Sequence, residues 1–582
     1  MRQTLISTGL ALFAPFAVLA QDAADAVQPE TTISINAKAA GTPVEATDWM
    51  VVAANPLASQ AGAKVLARGG TAADAMIAVQ TVLGLVEPQS SGLGGGAFLV
   101  WYDAASGEVT TLDGRETAPA AVTPRLFQDE NGEPLKFFDA VVGGRSVGVP
   151  ATPALMERAH QKWGNQKWAD LFEDAIALSA DGFRVSKRLA GMIERDGDRL
   201  VRFGGTSGYF YPAGAPLTEG HVLRNPDYAE VLRDLAENRT ESFYKGDIAR
   251  EIVRVVQNAQ RNPGVLSMAD MAAYEIKERT PVCVKYRAHD VCGMGPPSSG
   301  ALTVGQILGM LDGYDLAALG AENPQAWRLI GDASRLAFAD RGRYMADSDF
   351  VPVPSKGLLD PSYLSNRAEA LDGGPALGTV AAGMPAFDHA MIWADDESLE
   401  LPSTSHISIV DSYGNALSMT STIENAFGSR LMVRGFLLNN ELTDFSFRSH
   451  KNGIPIANSI APGKRPRSSM APTIVLKDGK PVLVVGSPGG SRIIGYVAKT
   501  IIAYLDWGMN VQEAVSLGHA VNRFGAFDVE EDSVMEALAP ELTALGYKVN
   551  LRDLNSGLHA IAIGETLQGG ADPRREGVAL GQ

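Results

Sequence analysis

A threonine-containing stretch in the last third of the chain combines the side-chain types and the spacing that nucleophilic attack on an amide requires. Residues 404–411 mix apolar, β-branched and hydroxyl residues, a turn at Gly414 follows, and residues 416–422 repeat the mixture. This pattern predicts a β-hairpin that begins at Thr404 and carries Thr422 in its second strand. As the first residue of a chain, Thr404 would have a free α-amine that accepts the proton of its own hydroxyl. A polar-faced strand with incidental threonines is the alternative.

A glycine turn further along the chain could supply the second part of such chemistry. Gly489 and Gly490 lie between a predicted strand, residues 481–485, and a predicted helix that continues to about residue 505. The first N–H groups of a helix have no partner within it, so they can stabilise the oxyanion that forms when an amide carbonyl is attacked. An ordinary strand-to-helix turn is the alternative.

Arg115 is a candidate for binding a carboxylate. It follows Gly114 at the end of a predicted strand, residues 110–113, which should pair with residues 97–102. A planar guanidinium offers parallel N–H donors that match the two oxygens of a carboxylate. A surface charge is the alternative.

Composition excludes several classes of function. The 582 residues include 67 acidic and 50 basic side chains, and the net charge of −17 argues against a nucleic-acid or anionic-membrane surface. The eight histidines show no metal-ligand spacing, so we expect neither a metal nor another cofactor. The glycine run at residues 92–96 follows a predicted helix and precedes a predicted strand without a lysine, which indicates close backbone packing rather than a phosphate loop.

Residues 1–20 have the pattern of a secretory signal peptide. Arg2 gives a positive start, a mostly apolar run covers residues 5–19, and residues 18–20 fit a small-residue cleavage site. A membrane anchor fits less well, because the run is short and contains Pro15. We therefore expect a periplasmic protein without membrane attachment once the signal is removed, with full secretion as the alternative.

The two cysteines of the chain, Cys283 and Cys292, have β-rich flanks and a polar stretch between them. This pattern predicts a hairpin that could place them opposite each other, and in an oxidising compartment a disulfide is a reasonable expectation. A zinc site would need more ligands nearby, and only His289 is close.

The stretch before Thr404 differs from its surroundings. Residues 372–403 are rich in Gly, Ala and Pro and then become acidic. A mobile segment that ends at a candidate nucleophile is what self-cleavage would need, and an ordinary linker is the alternative. Cleavage between Ser403 and Thr404 would divide the mature chain into residues 21–403 and 404–582.

The rest of the chain shows both periodicities of an α+β protein. Residues 150–280 are predicted to be mainly helical, with a loop at residues 206–212. The chain is predicted to end in a β-hairpin over residues 548–563.

Five motifs, taken in order, resemble those of the γ-glutamyltranspeptidase (glutathione hydrolase) family. The resemblance covers essentially the whole mature chain. The motifs are residues 112–119 (LDGRETAP), 404–406 with 410–411 (TSH and VD), 438–445 (LNNELTDF), 464–470 (KRPRSSM) and 486–490 (GSPGG).

The resemblance implies an α+β fold, a four-layer αββα sandwich of the N-terminal-nucleophile hydrolase type. It also implies autocatalytic cleavage at Ser403–Thr404 into a large subunit, residues 21–403, and a small catalytic subunit, residues 404–582. The two subunits would stay associated as a heterodimer that forms one intertwined domain.

The family's functional roles carry over onto matching positions of this sequence. Thr404 matches the nucleophile, with its freed amine as base, and Thr422 matches the threonine that supports it. Gly489 and Gly490 match the oxyanion donors. The matching substrate-binding residues are Arg115, Ser468 and Ser469 for the α-carboxylate and Glu424, Glu441 and Asp444 for the α-ammonium.

Three departures from the family pattern bear on these roles. Residue 405 is serine where many members have threonine. Glu424 and Glu441 are acidic where some members have amides, which would make the ammonium pocket more anionic. Residues 446–462, where some members carry a lid, contain no tyrosine or other aromatic beyond Phe447.

The implied activity is hydrolysis or transfer of γ-glutamyl groups from glutathione or a similar donor through an ester of Thr404. Water, an amino acid or a peptide would be the acceptor. A γ-glutamyl group carries a carboxylate and an ammonium on one carbon, so its site needs a cation and anions close together. One alternative is an acylase for glutaryl-type β-lactam side chains, whose substrate would leave Glu424, Glu441 and Asp444 without a cation. A non-catalytic periplasmic binding protein on the same fold is the second alternative.

Overall fold

The hairpin predicted after Thr404 forms two central strands of the fold. Ser405–Val410 and Ala416–Thr422 pair in antiparallel register with Ser405 opposite Ser421, and every residue of both strands is buried. The structure is a computed structural model that describes residues 29–396, 398, 400, 401 and 403–582. The predicted signal peptide lies outside the described residues.

Seven antiparallel strands form the sheet that contains this hairpin, here called the hairpin sheet. In spatial order they are Val578–Gly581, Met50–Ala53, Ser405–Val410, Ala416–Thr422, Gly96–Tyr102, Val109–Gly114 and Lys277–Arg279. The predicted pairing of residues 97–102 with residues 110–113 is confirmed, with Leu99 opposite Leu112.

A second antiparallel sheet of seven strands is here called the glycine-turn sheet, because one of its strands leads into Gly489 and Gly490. In spatial order its strands are Val44–Ala46, Leu567–Ala571, His559–Ile563, Lys480–Gly486, Thr473–Lys477, His289–Gly293 and Val282–Tyr286. Cys283 and Cys292 face each other across the last two strands, and a bond of 2.06 Å joins their sulfur atoms.

Buried apolar clusters show that the two sheets are stacked between helical layers. The cluster between the sheets contains Met50 from the hairpin sheet and Ile474 from the glycine-turn sheet. Helices cover the outer faces: Pro56–Ala67 and Ala72–Val86 on the hairpin sheet, and Gly300–Leu311 and Ile493–Leu505 on the glycine-turn sheet. The expected α+β, four-layer αββα sandwich is therefore confirmed.

Local sequence explains where principal helices begin. The Thr71 hydroxyl accepts from the Asp74 N–H at 3.2 Å, and the Asp74 carboxylate accepts from the Thr71 N–H at 3.0 Å. This reciprocal capping box starts the buried helix Ala72–Val86. Pro56 and Pro324 occupy the first turn of their helices, where the missing N–H costs no hydrogen bond.

Further helices and strands complete the fold. Further helices are Pro29–Ala39, Phe137–Val141, Thr152–Trp163, Glu173–Asp181, Lys187–Arg195, Gly197–Leu200, Gly204–Phe210, Pro226–Asn238, Glu241–Tyr244, Asp247–Gln257, Met268–Ala272, Leu316–Leu319, Pro324–Tyr344, Ser355–Leu358, Pro361–Ala368, Val511–Ser516 and Ala539–Ala544. Paired strands outside the main sheets are Phe183–Arg184 with Val222–Leu223, Met432–Val433 with Phe436–Leu437, and His450–Lys451 with Ile454–Pro455. Within the described residues, no helix is both long and apolar enough to cross a membrane.

The prediction of a loop at residues 206–212 is wrong, because most of these residues belong to helix Gly204–Phe210. Thr206 and Phe210 are fully buried. Packing of these two side chains therefore outweighs the low helix propensity of the glycines around them.

The hairpin predicted over residues 548–563 is also wrong. Lys548–Arg552 pairs in parallel with Ala526–Glu530 in a small three-stranded sheet. His559–Ile563 instead pairs with Lys480–Gly486 in the glycine-turn sheet. Two runs that look like hairpin partners in sequence thus pair with different strands elsewhere in the chain.

Segments on both sides of the Ser403–Thr404 bond contribute to each main sheet. In the hairpin sheet four strands precede this bond and three follow it, and in the glycine-turn sheet three precede it and four follow it. A break at this bond would therefore leave the two parts joined by the backbone hydrogen bonds of shared sheets.

Candidate active site

Thr404 stands at the start of the central hairpin, with its hydroxyl held by a second threonine. The Thr404 hydroxyl donates to Oγ1 of Thr422 over 3.0 Å, and the same Oγ1 accepts from the backbone N–H of Glu424 at 2.9 Å. The register that places Ser405 opposite Ser421 also brings Thr404 beside Thr422. The hairpin therefore fixes the position of the Thr404 oxygen.

The peptide bond before Thr404 has an uncommon environment. Thr404 has φ of +98°, in a region that β-branched residues rarely occupy. The carbonyl oxygen of Ser403 accepts a hydrogen bond of 3.2 Å from the N–H of Gly489. The glycine turn thus contacts the carbonyl group that lies next to the Thr404 hydroxyl.

Both glycines of this turn have conformations that favour glycine. The φ angles are +137° for Gly489 and +59° for Gly490. A Cβ on Gly489 would lie 2.7 Å from Cε2 of Tyr496, and a Cβ on Gly490 would lie 2.8 Å from the carbonyl oxygen of Leu401. Glycine at both positions therefore allows the turn that brings the Gly489 N–H to the Ser403 carbonyl.

Arg115 forms a buried cluster with two of the predicted acidic residues. Its Nη1 contacts the Glu441 carboxylate, and its Nη2 donates to Oδ2 of Asp444 at 2.5 Å. Nε and Nη2 also donate to the backbone carbonyls of Pro466 and Arg467, at 3.1 and 2.8 Å. Four contacts therefore hold the guanidinium within the uncut chain.

The acidic residues are crowded enough to shift their own ionisation. Burial raises the pKa of Glu424 well above its usual range, and Asp444 and Glu441 raise it further. Burial also raises the pKa of Glu441 and that of Asp444, although Arg115 opposes both shifts. Burial raises the pKa of Glu116 to about 8. Carboxyl groups thus outnumber cations here, and a bound ammonium would relieve the imbalance.

Glu400, which the sequence did not single out, reaches into the same cavity from the segment before Thr404. Its carboxylate accepts hydrogen bonds from Arg341 and from the hydroxyl of Ser469, and Arg467 lies 3.6 Å away. The uncut chain thus places one of its own carboxylates on a residue predicted to bind a substrate carboxylate. No sequence signal distinguished Arg341 from other helical arginines.

One cavity brings together the predicted catalytic and substrate-binding residues except Gly489. Its walls are Arg115, Thr404, Thr422, Glu424, Glu441, Asp444, Ser468, Ser469 and Gly490, with Glu400, Leu401, Met470 and Ile493 completing them. The volume of this cavity is about 20 Å³. Small-molecule sites usually need about 300 Å³ or more, so the residues before Thr404 occupy space that a substrate would require.

Two other sequence features lie away from this chemistry. His406 packs among hydroxyls, with Nδ1 2.9 Å from Thr420 and Nε2 3.0 Å from Ser408, and burial holds its pKa well below the usual range. The ring is therefore neutral. Phe447 stacks on Phe127 at 4.8 Å, and residues 446–462 contribute nothing to the described lining of the cavity.

Replacing Arg115 with glutamine is expected to lower the free energy of unfolding by about 3 to 5 kcal/mol, because two buried carboxylates lose their cation. Burial raises the pKa of Glu441 and Asp444, so protonation favours the folded state. The stabilisation from these protonated carboxyl groups is complete below their pKa in the unfolded chain, about 4. It is lost as the pH rises through their higher pKa in the folded protein. The loss should therefore be larger at about pH 8 than at about pH 5, as measured by thermal unfolding.

Arg250→Gln is the matched control for Arg115→Gln. It removes an exposed partner of Asp247, and such an exposed pair contributes little to stability. Its unfolding temperature should differ little from that of the unsubstituted protein at either pH. If Arg115→Gln lowers the unfolding temperature equally at both pH values, the expected role of the raised pKa values is contradicted.

Known proteins resemble this chain in sequence over most of its length. The sequence model described as Gamma-glutamyltranspeptidase matches residues 58–582. The glutathione hydrolase proenzyme of Bacillus subtilis (strain 168) is 37% identical over 547 residues, which cover 92% of this chain and 91% of the relative. The Acylase ACY 1 proenzyme of Pseudomonas sp. (strain SE83) is 33% identical over 549 residues, which cover 92% and 94%.

A solved structure extends the comparison to the fold. The cephalosporin acylase from Bacillus halodurans has a TM-score of 0.83 and 25% identity, covering 93% of this chain and 97% of that chain. The family match spans most of the sequence, and the two relatives are each more than 30% identical over nearly all of it. The chain therefore belongs to the gamma-glutamyltranspeptidase family.

Proposed function

We propose that the chain cleaves itself between Ser403 and Thr404, and that Thr404 then hydrolyses or transfers γ-glutamyl groups. The observation that carries this proposal is the convergence of two groups on one peptide bond. Thr422 positions the Thr404 hydroxyl, and the Gly489 N–H donates to the Ser403 carbonyl oxygen. A positioned nucleophile and an oxyanion donor are what acyl transfer needs.

Self-cleavage begins with attack of the Thr404 oxygen on the carbonyl carbon of Ser403. A C–O bond forms, and the N–H of Gly489 stabilises the resulting oxyanion. When this intermediate collapses, the C–N bond breaks and the Thr404 nitrogen takes up the hydroxyl proton. Water then hydrolyses the ester, which leaves a carboxylate on Ser403 and a free amine on Thr404.

The cut protein uses the same groups for its substrate. The free amine accepts the hydroxyl proton while Thr404 attacks the γ-amide, and Gly489 and Gly490 stabilise the oxyanion. Collapse releases the leaving amine with that proton and leaves a γ-glutamyl ester on Thr404. Water, or the amine of an amino acid or peptide, then releases the γ-glutamyl group.

The charged residues of the cavity suit a substrate that carries a carboxylate and an ammonium on one carbon. The raised pKa values of Glu424, Glu441 and Asp444 mark a place where an ammonium would supply a missing cation. Ser469 binds the Glu400 carboxylate in the uncut chain, so it is placed to bind a substrate carboxylate once the cleaved segment moves away. Arg115 and Ser468 line the same cavity.

The acylase relatives make a glutaryl donor the relevant rival, and the two donors differ by the ammonium alone. We expect kcat/KM for γ-glutamyl-p-nitroanilide to exceed that for glutaryl-p-nitroanilide by about 100-fold or more, because a glutaryl group leaves buried carboxylates unpaired. Asp444→Asn should lower this ratio, because it removes a carboxylate that favours the substrate with the ammonium. Turnover of the glutaryl compound without turnover of the γ-glutamyl compound would support an acylase.

The processing step has a direct test of its own. Amino-terminal sequencing of the smaller fragment should begin at Thr404, and the fragments 21–403 and 404–582 should elute together in size-exclusion chromatography. We also propose that the signal-like residues 1–20 direct the chain to the periplasm, which fractionation of expressing cells can check. An intact full-length band with no γ-glutamyl hydrolysis would favour the non-catalytic alternative.

A further inference from the structure

A second cavity shares a wall with the candidate active site. Its volume is about 360 Å³, within the range of small-molecule sites. Glu424 lines the active-site cavity, and the next residue, Asn425, lines the second one. Helix Ile493–Leu505 also contributes to both, because Ile493 lines the first cavity and Tyr496 lines the second. Neighbouring residues of the same segments therefore line the two cavities.

Arg575 connects the second cavity with the predicted nucleophile. Its Nη1 donates to the carbonyl oxygen of Thr404 at 2.9 Å, and its side chain lines the second cavity. Burial and the nearby Arg188 lower the pKa of Arg575 to about 9. One guanidinium thus both lines the second cavity and contacts the backbone of Thr404.

Basic side chains dominate this cavity in a chain with a net charge of −17. Six arginines line it: Arg188, Arg195, Arg199, Arg430, Arg492 and Arg575. The carboxylates in its lining are Asp196 and Asp553. Such a concentration of guanidinium groups in an acidic protein indicates a place built for an anion.

The carboxylates near the cavity are shared between arginines. Arg199 and Arg430 both bind Asp196, with shortest contacts of 2.7 and 2.8 Å. Arg492 binds Asp528 at 2.9 Å, and Arg523 contacts the same carboxylate at 3.3 Å. One carboxylate cannot neutralise two guanidinium groups, so positive charge remains.

Arg188 and Arg195 have the weakest internal pairing. Nε of Arg188 lies 3.6 Å from Oε1 of Glu87, beyond normal hydrogen-bond length, and it is buried without a hydrogen-bond partner among the described residues. Arg195 donates to the carbonyl of Gly191 and to the sulfur of Met192. Both guanidinium groups therefore retain donors that an anion could accept.

We propose that this cavity, here called the anion subsite, binds the C-terminal carboxylate of the peptide on the leaving side of the γ-amide. The inference rests on the proposed function, because it assigns the γ-glutamyl end to the cavity of Arg115. The leaving peptide must then extend away from that cavity, and the anion subsite adjoins the carbonyl group of Thr404 through Arg575. A peptide acceptor would enter by the same route and present the same carboxylate.

The test compares donors that differ at that carboxylate. The unsubstituted protein should show higher kcat/KM with glutathione than with its glycine ethyl ester, which lacks the charge. In Arg188→Gln/Arg195→Gln, the ratio of kcat/KM for glutathione to that for γ-glutamyl-p-nitroanilide should fall about 10-fold, because a charge-assisted contact is lost. Arg202→Gln is the control, since this exposed arginine donates to a backbone carbonyl and does not line the cavity.

A second arm separates the leaving peptide from the acceptor. This arm compares the rates of γ-glutamyl transfer from the anilide to glycylglycine and to glycylglycine amide in the same variants. If the subsite binds the acceptor carboxylate, the unsubstituted protein prefers glycylglycine over its amide and the arginine variants lose that preference. An equal fall with glutathione and the anilide would assign the arginines a structural role and overturn the proposal. So would equal rates with glutathione and its ester in the unsubstituted protein. Absence of anilide hydrolysis in the cut protein would refute the γ-glutamyl function itself.

Discussion

Replacing Thr404 with alanine is expected to leave the chain uncut and to abolish γ-glutamyl hydrolysis. In the proposed mechanism the same hydroxyl attacks the Ser403 carbonyl during processing and the γ-amide during turnover, and the second role also needs the freed amine. Loss of a catalytic nucleophile typically lowers kcat by about 10⁶-fold. A denaturing gel, followed by an anilide assay, measures both outcomes.

Two variants control this experiment. Thr404→Ser keeps a hydroxyl and should still be cut. Ser421→Ala removes another buried hydroxyl from the same hairpin, one without a hydrogen-bond partner among the described residues, and should be cut normally. Cleavage that persists in Thr404→Ala would show that another residue attacks the Ser403 carbonyl.

Replacing Gly489 with alanine is expected to lower kcat about 10²- to 10³-fold and to slow processing. This is the usual loss when one oxyanion donor is removed. The new Cβ would lie 2.7 Å from the ring of Tyr496, and φ of +137° is unfavourable for alanine. The turn must therefore move, and with it the N–H that donates to Ser403. Single-turnover rates and the half-time of cleavage measure the two effects.

Gly546→Ala separates local strain from the loss of the oxyanion donor. Gly546 also has positive φ, +103°, but an added Cβ would meet only Ala376 at 3.9 Å. It should lose stability without a comparable loss of kcat. A Gly489→Ala protein that is cut and turns over normally would exclude Gly489 as a required donor.

Local patterns predicted those elements whose partners are close in sequence. The hairpin after Thr404 and the pairing of residues 97–102 with residues 110–113 both form, because short turns set their registers. Residues 548–563 were misassigned because each of their strands pairs with a distant segment. The layered architecture followed from the family resemblance, since alternation along single strands does not say which sheets stack.

Some residues of the candidate site could be predicted from the sequence, and others could not. Motif matches identified Arg115, Glu441 and Asp444, which the structure brings together although more than 300 residues separate the arginine from the acids. Glu400 and Arg341 carried no signal, because their meaning depends on a contact between a long helix and the segment before Thr404. Contacts of this kind are visible only in three dimensions.

The positive φ of Thr404 bears on whether the cut can be reversed. A residue held in such a region costs about 1 to 3 kcal/mol, and φ is defined only while Ser403 and Thr404 are joined. The proposed hydrolysis would release this energy, which would shift the equilibrium between joined and separated ends about 5- to 150-fold toward separation. Resynthesis of the bond would have to restore the same conformation, so maturation is favoured to proceed in one direction even while the new ends remain side by side.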